Sequence, residues 1–97
     1  MPMGYVIAQI KVTDPQTYPD YVAQVAPIIE KFGGEFLVRG GRSVSFEGTP
    51  PGDRNVVIRF PSYEAALAWY HSDAYAEAKA LRMSASTSVQ TIVEGVA

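Results

Sequence analysis

The order of hydrophobic periods along the chain constrains its fold more than any other feature of the sequence. Apolar residues alternate with a period of two from Tyr5 to Val12 and then recur at helical spacing from Tyr18 to Phe32. Two strand-like stretches, a second helical pattern and a last alternating stretch from Ser88 to Glu94 follow. A period of two is typical of strands and a period near 3.6 of amphipathic helices. The sequence therefore predicts the order strand, helix, strand, strand, helix, strand.

The first predicted helix carries signals at both ends and one inside. Asp14 is placed as the N-cap, and Pro15 stands at the first helical position, where its missing N–H costs nothing. The pair Gly33-Gly34 supplies the left-handed residue that ends a helix. Pro27 removes one backbone hydrogen bond from the helix interior. We therefore expect a helix that bends near residues 23 to 27.

The second half of the chain is divided by glycine, proline and serine. Glu35 to Glu47 is predicted as one long strand, broken or bulged at Gly40-Gly41, and Arg54 to Phe60 as the strand that returns beside it. Ser62 is suited to cap the second helix, and this helix is predicted to be interrupted at His71-Ser72. The second helix should therefore consist of two pieces.

This order of elements is the split βαβ arrangement, so the fold class is α+β, a ferredoxin-like βαββαβ plait with an antiparallel sheet. Residues 1–97 are predicted to form a single domain. The helices of such a plait cover one face of the sheet. The uncovered face is predicted to carry the side chains of Tyr5, Ile7, Leu37, Val57 and Ile92. Because a monomer rarely leaves such an apolar patch exposed, a homodimer through the open sheet face is expected.

The composition excludes several classes of protein. No apolar run approaches the roughly 20 residues that span a bilayer, and no basic segment followed by an apolar block indicates secretion. A soluble, cytoplasmic protein without membrane contact is therefore expected. The net charge of −2 argues against a nucleic-acid-binding face. The absence of cysteine excludes disulfides and thiolate chemistry.

Five segments together resemble the bacterial family called domain of unknown function 1330. They are Gly33 to Gly41, Glu47-Gly48, Val56 to Ala66, Tyr70 to Tyr75 and Ile92 to Gly95. The resemblance extends over nearly the whole chain. It implies membership of the dimeric α/β-barrel superfamily, in which two sheets pack face to face.

The resemblance brings no established activity. The wider superfamily includes cofactor-independent monooxygenases, haem-degrading enzymes, lactone isomerases and ligand-binding proteins, so the fold alone does not choose among them. The chain also departs from the family at one motif. Where the family often has Ser-Pro-Glu-Tyr, this chain has Ser72-Asp73-Ala74-Tyr75, which leaves Asp73 as the one acid near the start of that helix.

Two arginines flank the paired glycine. A guanidinium binds a carboxylate or phosphate through two parallel hydrogen bonds, so Arg39 and Arg42 are candidate ligands for a small anionic molecule. The alternative is that they form ion pairs with Glu35 and Glu47 at the edge of the sheet. The sequence leaves both interpretations open.

Four further residues are candidates for the same site. His71 is the only histidine and ends a helix, where it could transfer a proton near neutral pH or be an exposed residue without a role. Tyr70 and Tyr21 lie on helix faces directed at the sheet, where they could line a pocket or belong to the core. Tyr5, near the start of a strand, could line the pocket or the dimer interface.

No cofactor or metal is predicted. One histidine without cysteine or spaced carboxylates is too few ligands for zinc or iron. No glycine-rich loop opens a helix after a strand, so a nucleotide cofactor is not expected. Two classes of function remain. The first is a dimeric protein that binds a small anionic or carbonyl-containing molecule, or acts on one as a cofactor-free enzyme; the second is a structural or regulatory homodimer without catalytic activity.

Overall fold

Four strands and three helices follow one another in the predicted order in a computed structural model, which describes residues 2–97. The elements are β1 (Gly4–Val12), α1 (Tyr18–Lys31), β2 (Glu35–Arg39), β3 (Arg54–Phe60), α2 (Tyr63–His71), α3 (Asp73–Ala85) and β4 (Ser86–Glu94). The sheet is antiparallel, with strand order β2-β3-β1-β4. The predicted α+β ferredoxin-like fold is therefore confirmed.

The core lies between the sheet and the helices. In the two central strands, every second side chain is buried, and Val6 of β1 pairs with Ile58 of β3 in register. The largest side chains that are almost wholly buried are Trp69, Tyr75, Phe60, Ile29 and Val6. Burial of a large apolar side chain contributes about 1.5 to 3 kcal/mol. This layer therefore supplies most of the free energy that holds the helices to the sheet.

The residue predicted to cap the first helix makes capping hydrogen bonds, but the helix begins later than predicted. The Asp14 carboxylate accepts hydrogen bonds from the N–H groups of Gln16 and Thr17 at 3.1 and 3.2 Å, so it caps a turn that precedes α1. The hydrogen bond from the Thr17 hydroxyl to this carboxylate, at 2.7 Å, is the main reason that the pKa of Asp14 is lowered. The helix itself begins at Tyr18, three residues later than the position expected from Pro15.

The predicted stops and interruptions are present. Gly33 has a φ of +83°, and the N–H of Gly34 donates to the Ile29 carbonyl at 2.9 Å, which closes the end of α1. The Ser62 hydroxyl accepts the N–H of Ala65 at 3.0 Å and caps α2. Ser72 separates α2 from α3. α1 continues past Pro27 without interruption, and a bend there stays a prediction.

The prediction of one strand from Glu35 to Glu47 is wrong. β2 ends at Arg39, because Gly40 and Gly41 both have positive φ angles, of +77° and +83°, which extended strands do not use. The bulge lies at Leu37 and not at the two glycines. Residues 41–53 contain no helix or strand and connect β2 to β3 as a loop.

The bulge at Leu37 changes which side chains face the helices. Phe36 pairs with Ile58 and Arg39 pairs with Val56, and both of these partners are buried beneath the helices. Without the extra residue, positions 36 and 39 would lie on opposite faces of the strand. The bulge therefore brings the aromatic ring and the guanidinium to the same face.

The open face of the sheet differs from the prediction at one position. Ile92 pairs with Val6 and lies on the covered face of the sheet, so its predicted place on the open face is wrong. The alternation of β4 is shifted by one residue from the predicted one. β4 instead presents Val89 and Val93 to the open side, with 56% and 42% of their surface exposed. Ile7, which pairs with Val57 and Thr91 across the same face, is 45% exposed. The open face therefore carries exposed apolar side chains, as predicted, among polar ones such as Arg59 and Thr91.

Within residues 2–97, no helix has the length and hydropathy needed to cross a bilayer.

Candidate functional site

A narrow cavity lies between α1 and the sheet. Its walls are mainly aliphatic side chains of the two central strands and α1, and its polar lining is Tyr18, Tyr21, Arg39, Arg54, Trp69 and Gln90. The space open to the centres of water-sized molecules is about 30 Å³, which is room for one or two waters. As it stands, the cavity fits the head group of a ligand and nothing larger.

Two residues that line this cavity, Trp69 and Arg54, each carry a buried hydrogen-bond donor without a partner. In the part of the chain that the structure describes, the Trp69 indole Nε1 and the Arg54 Nε are the buried side-chain polar atoms that make no hydrogen bond. Leaving a buried donor unpaired costs about 1 to 3 kcal/mol. Such groups are rare in native proteins, and here both belong to residues that line the same cavity.

The indole is held firmly by its neighbours. Trp69, on α2, is 1% exposed, and its ring centroid lies 5.4 Å from that of Phe60 and 4.3 Å from that of Tyr75. Rings packed at these distances have little freedom to turn. The direction of the indole N–H is therefore fixed by the core and does not depend on a ligand.

Two guanidinium groups lie at the cavity beside aromatic rings. The Cζ of Arg39 is 4.3 Å from the centre of the Phe36 ring, and the Cζ of Arg54 is 5.4 Å from the centre of the Tyr18 ring. Such contacts hold a cation without neutralising its charge. Within residues 2–97 the one salt bridge joins Glu35 to Arg59, at 2.6 Å. The interpretation in which Glu35 and Glu47 pair with Arg39 and Arg42 is therefore wrong.

Gly40 allows Arg54 to take its position. A Cβ atom at Gly40 would lie 3.0 Å from Nη1 of Arg54, whereas a Cβ at Gly41 would meet no atom within 4 Å. The N–H of Gly40 also donates to the Asn55 carbonyl at 2.8 Å, which joins the end of β2 to β3. The Gly40-Gly41 pair thus ends β2, and Gly40 leaves room for the guanidinium of Arg54.

A buried polar network lies behind the cavity. The hydroxyl oxygens of Tyr21 and Tyr75 are 3.0 Å apart, and Nε of Arg82 donates to the Tyr75 hydroxyl at 3.2 Å. Nη1 of Arg82 donates to the Ser88 hydroxyl at 2.9 Å, and the Gln90 amide donates weakly to the same oxygen at 3.4 Å. The network joins α1, α3 and β4 in the interior.

Burial and the neighbours in the network shift the pKa values of Tyr21 and Arg82. Burial raises the pKa of Tyr21 far above its ordinary value, and the neighbouring Tyr75 adds to the rise, so this hydroxyl keeps its proton. Burial alone would lower the pKa of Arg82. The oxygens of Tyr75 and Tyr21 outweigh burial, and the pKa of Arg82 lies above its ordinary value. Arg82 is therefore a permanent cation in this network, and the Tyr21 hydroxyl is neutral.

The raised pKa of Tyr21 predicts alkaline destabilisation. An unfolded tyrosine ionises near pH 10, whereas the folded protein keeps the proton, so the stabilisation is complete below pH ~10 and is lost as the pH rises above it. In Tyr21→Phe, the free energy of unfolding should fall less steeply above pH ~10, by about 1.4 kcal/mol per pH unit. Urea unfolding between pH 9 and 11 measures this slope. Tyr5→Phe is the control, and equal slopes for the two variants would contradict the prediction.

The structure brings together two of the six residues predicted for the site. Arg39 and Tyr21 line the cavity. Tyr70 does not; it lines an open groove on the other side of Gln90, with Tyr63, Leu67 and Ile92. Gln90 lines both spaces.

The other three predicted residues lie apart from the cavity. His71 is exposed at the end of α2, with its ring edge-on to that of Tyr70 at 5.5 Å. Arg42 is exposed in the loop after β2, and Tyr5 lies on the open face, where it pairs with Arg59 and Val93. Nothing in the structure tests a role for these residues, so their roles stay predictions.

Several residues of the cavity and of the network behind it were not predicted for the site from the sequence. Trp69, Arg54 and Gln90 line the cavity, and Arg82 and Tyr75 form the network behind it. The alternation of β3 could have indicated Arg54, because it lies two residues before the buried Val56 and so on the same face of the strand. No group of three or more histidine, cysteine, aspartate or glutamate side chains within residues 2–97 could hold a metal ion.

Comparison with known proteins gives a family and a fold. The sequence profile of the family described as domain of unknown function (DUF1330) matches residues 3–96, which confirms the predicted resemblance. No curated protein matches the chain. A solved structure of a protein of unknown function from Rhodopseudomonas palustris is similar at 17% identity, with a TM-score of 0.80, over 99% of this chain and 84% of that one.

Two further solved structures share the fold. SnoaB, a cofactor-independent oxygenase from Streptomyces nogalater, is similar at 11% identity, with a TM-score of 0.63, over 96% of this chain and 92% of that one. A hypothetical protein from Arabidopsis thaliana is similar at 17% identity, with a TM-score of 0.65, over 99% of this chain and 89% of that one. At these identities the similarity establishes a common fold and no common activity.

Proposed function

Because the chain belongs to the family of domain of unknown function DUF1330, whose description assigns no activity, we propose a function from the cavity itself. The protein binds a small molecule through an anionic or carbonyl oxygen, in the cavity between α1 and the sheet. The observation that carries this proposal is the pair of unpartnered buried donors, Trp69 Nε1 and Arg54 Nε. An acceptor oxygen within hydrogen-bond distance of either donor would satisfy it.

The charge of the site favours an anionic acceptor. Arg39 and Arg54 both line the cavity, and neither forms a salt bridge with a residue in the described part of the chain. No aspartate or glutamate is among the lining residues. A guanidinium binds a carboxylate or another oxyanion more strongly than it binds a neutral group. Carboxylates, enolates and phenolates therefore fit this lining better than amines or alcohols.

The aliphatic walls define the rest of the ligand. Val6, Ala8, Val56 and Ile58 form one side of the cavity, and Ile29 of α1 belongs to the opposite side. These side chains offer contact and no hydrogen bonds. A ligand with a small oxygen-bearing head group and an apolar body matches the lining, and a body larger than the present space requires α1 to move.

A catalytic form of this proposal draws on a solved structure with a similar fold. SnoaB is a cofactor-independent oxygenase with this fold, and a donor-rich cavity can stabilise an enolate or phenolate as negative charge develops on oxygen. A cofactor-free enzyme that acts on such a molecule is therefore the catalytic form of the same proposal. His71 does not line the cavity, and the proposal does not assign it a step.

The single tryptophan provides a direct test of binding. Trp69 gives one indole resonance in a ¹H–¹⁵N spectrum, and a hydrogen bond from its N–H to a ligand should shift that resonance to lower field. We would titrate the protein with small carboxylates, phenols and quinones, with sodium chloride as the control for ionic strength. The indole resonance should shift in a saturable manner for at least one carboxylate or phenol. If no probe moves it, the proposal is wrong.

The paired glycine offers a matched test of Arg54. Gly40→Ala and Gly41→Ala both place alanine at a positive φ, which costs about 1 to 2 kcal/mol. Only the Cβ at Gly40 approaches Arg54. Gly40→Ala should therefore weaken binding of the probe found above by up to about tenfold, while Gly41→Ala should leave it within about twofold of wild type. Equal affinities of the two variants, measured by the same titration, would exclude Arg54 from the site.

We also propose that the protein is a homodimer through its open sheet face. Ile7, Val89 and Val93 are between 42% and 56% exposed on that face, and a second sheet packed against them would bury them. Light scattering after size-exclusion chromatography should give twice the mass of 10.5 kDa. Ile7→Lys should shift the protein to the monomer, and Val96→Lys, at the exposed C-terminal end, should not. A monomeric wild type at micromolar concentration would refute the dimer.

The alternative function is a structural or regulatory homodimer without chemistry. The apolar open face favours pairing whether or not the cavity binds anything. A dimer by light scattering, together with an indole resonance indifferent to every probe, would support this alternative.

A further inference from the structure

Arg82 is a buried cation without an acidic partner. Its side chain is 3% exposed, and within residues 2–97 the one salt bridge joins other residues, Arg59 and Glu35. Burying a charge that no opposite charge compensates is costly, and replacing such a group by an apolar one is often neutral or stabilising. A stabilising role alone therefore explains Arg82 poorly.

The hydrogen bonds around Arg82 determine the direction of the tyrosine hydroxyls. Tyr75 is 0% exposed, and its oxygen already accepts from Nε of Arg82. If Tyr21 also donated to this oxygen, the Tyr75 hydroxyl hydrogen would have no acceptor among its bonded neighbours in the described chain. Either direction of the bond between the tyrosines leaves one hydroxyl hydrogen without an acceptor in the described chain. Because Tyr75 is wholly buried, the arrangement we infer has Tyr75 donating to Tyr21. The hydrogen of Tyr21 is then free, and Tyr21 lines the cavity.

We propose that Arg82, acting through Tyr75, sets the Tyr21 hydroxyl as a hydrogen-bond donor to the ligand, so that the cavity selects an anionic oxygen over a neutral one. The positive charge of Arg82 polarises both hydroxyls in the same direction, and hydrogen bonds in such a chain strengthen one another. Tyr21 would thus be a third donor beside Trp69 and Arg54. Arg82 and Tyr75 are positioning residues, because they act on the ligand through Tyr21.

The charges of the network support this role. Arg82 remains charged, because its pKa lies above the ordinary value. The ligand class that follows is a carboxylate, enolate or phenolate, since each places negative charge on an oxygen that accepts hydrogen bonds. The inference rests on the cavity being a binding site, as proposed above.

Acetate and acetamide form a matched pair of probes, because they have nearly the same shape and differ in charge. Both would be titrated against wild type at constant ionic strength, with the Trp69 indole resonance as readout. Wild type should bind acetate at least about tenfold more tightly than acetamide. Tyr75→Phe and Arg82→Met should each reduce this preference about five- to tenfold. Tyr63→Phe, which removes a hydroxyl outside the network, should leave it unchanged.

A double-mutant cycle separates an effect that passes through the hydrogen-bonded tyrosine hydroxyls from a direct electrostatic effect of the Arg82 charge. If Arg82 acts through the hydroxyls, Arg82→Met should have almost no further effect on the preference in a Tyr21→Phe background. Arg82→Lys keeps the charge and loses the Nε donor, so it should recover less than half of the preference. If circular dichroism shows that Arg82→Met does not fold, Arg82→Lys provides the test in its place.

The outcomes distinguish this inference from the proposed function. If neither probe moves the indole resonance of wild type, both fail. If wild type binds the probes but Tyr75→Phe and the Arg82 variants keep the wild-type preference for acetate, only the role of the network is refuted. If Arg82→Met has the same effect with and without the Tyr21 hydroxyl, Arg82 does not act through the tyrosine hydrogen bonds. The effect of Arg82 on the ligand would then be the direct electrostatic effect of its charge.

Discussion

Replacement of Trp69 by alanine is expected to lower the free energy of unfolding by about 3 to 5 kcal/mol. The indole is 1% exposed and packs between the rings of Phe60 and Tyr75, so its removal leaves a large hole that these rings can fill only in part. Urea unfolding followed by circular dichroism measures the change, because the variant has no tryptophan fluorescence. A loss below about 1.5 kcal/mol would mean that α2 settles onto the sheet without the indole.

Trp69→Phe separates the packing role of this residue from its hydrogen-bonding role. Phenylalanine keeps an aromatic ring against Phe60 and removes the N–H that has no partner in the described chain. The cost of the smaller ring is therefore partly offset, and the loss of stability should be less than half that of Trp69→Ala. Binding of a ligand that accepts from the indole should nevertheless weaken about tenfold or more, as measured by calorimetry. If phenylalanine costs as much stability as alanine, the indole N–H contributes to the fold itself.

Replacement of Gly52 by alanine is expected to cost about 3 kcal/mol or more. A Cβ at this position would overlap the backbone carbonyl of Ile10 and the N–H of Lys11, which cannot move without disturbing β1. The loop before β3 would then lift from the sheet, and Arg54 would move with it. Urea unfolding gives the cost, and the Trp69 indole titration gives the effect on the cavity.

Gly48→Ala is the control for this substitution in the same loop. Gly48 has a φ of +76° and no atom within 4 Å of a Cβ placed there, so alanine should cost only the backbone strain of about 1 to 2 kcal/mol. If the two variants lose equal stability, the close approach of Gly52 to β1 does not contribute, and the loop is held by other contacts.

Local signals in the sequence predicted most of the fold. The N–H acceptor at Ser62, the left-handed Gly33 and the interruption at Ser72 each depend on a few neighbouring residues, and all three are present. The prediction failed where a local signal has two meanings. Gly40-Gly41 could bulge a strand or end it, and Ile92 could face either side of a strand whose register the sequence does not give.

Two of the residues predicted for the site, Arg39 and Tyr21, line the cavity, and their roles stay predictions. They were predicted because arginine and tyrosine side chains are suited to binding. Trp69 and Arg54 are its two unpartnered donors, but the sequence cannot show that a donor lacks a partner, because every potential partner is distant along the chain. The same reason hid Arg82, whose hydrogen bonds join α3 to Tyr75 and Ser88.

The sequence by itself determined the order of the elements, the ends of most of them and the apolar character of both faces of the sheet, because these follow from spacing over a few residues. Only the tertiary structure decided which side chains meet. A single extra residue at Leu37 turns Arg39 toward the helices, and the pairing of Val6 with Ile92 turns Gln90 inward. Register and bulges depend on contacts between distant strands, and a shift of one residue moves a side chain to the opposite face. The cavity with its unpaired donors is a product of those contacts.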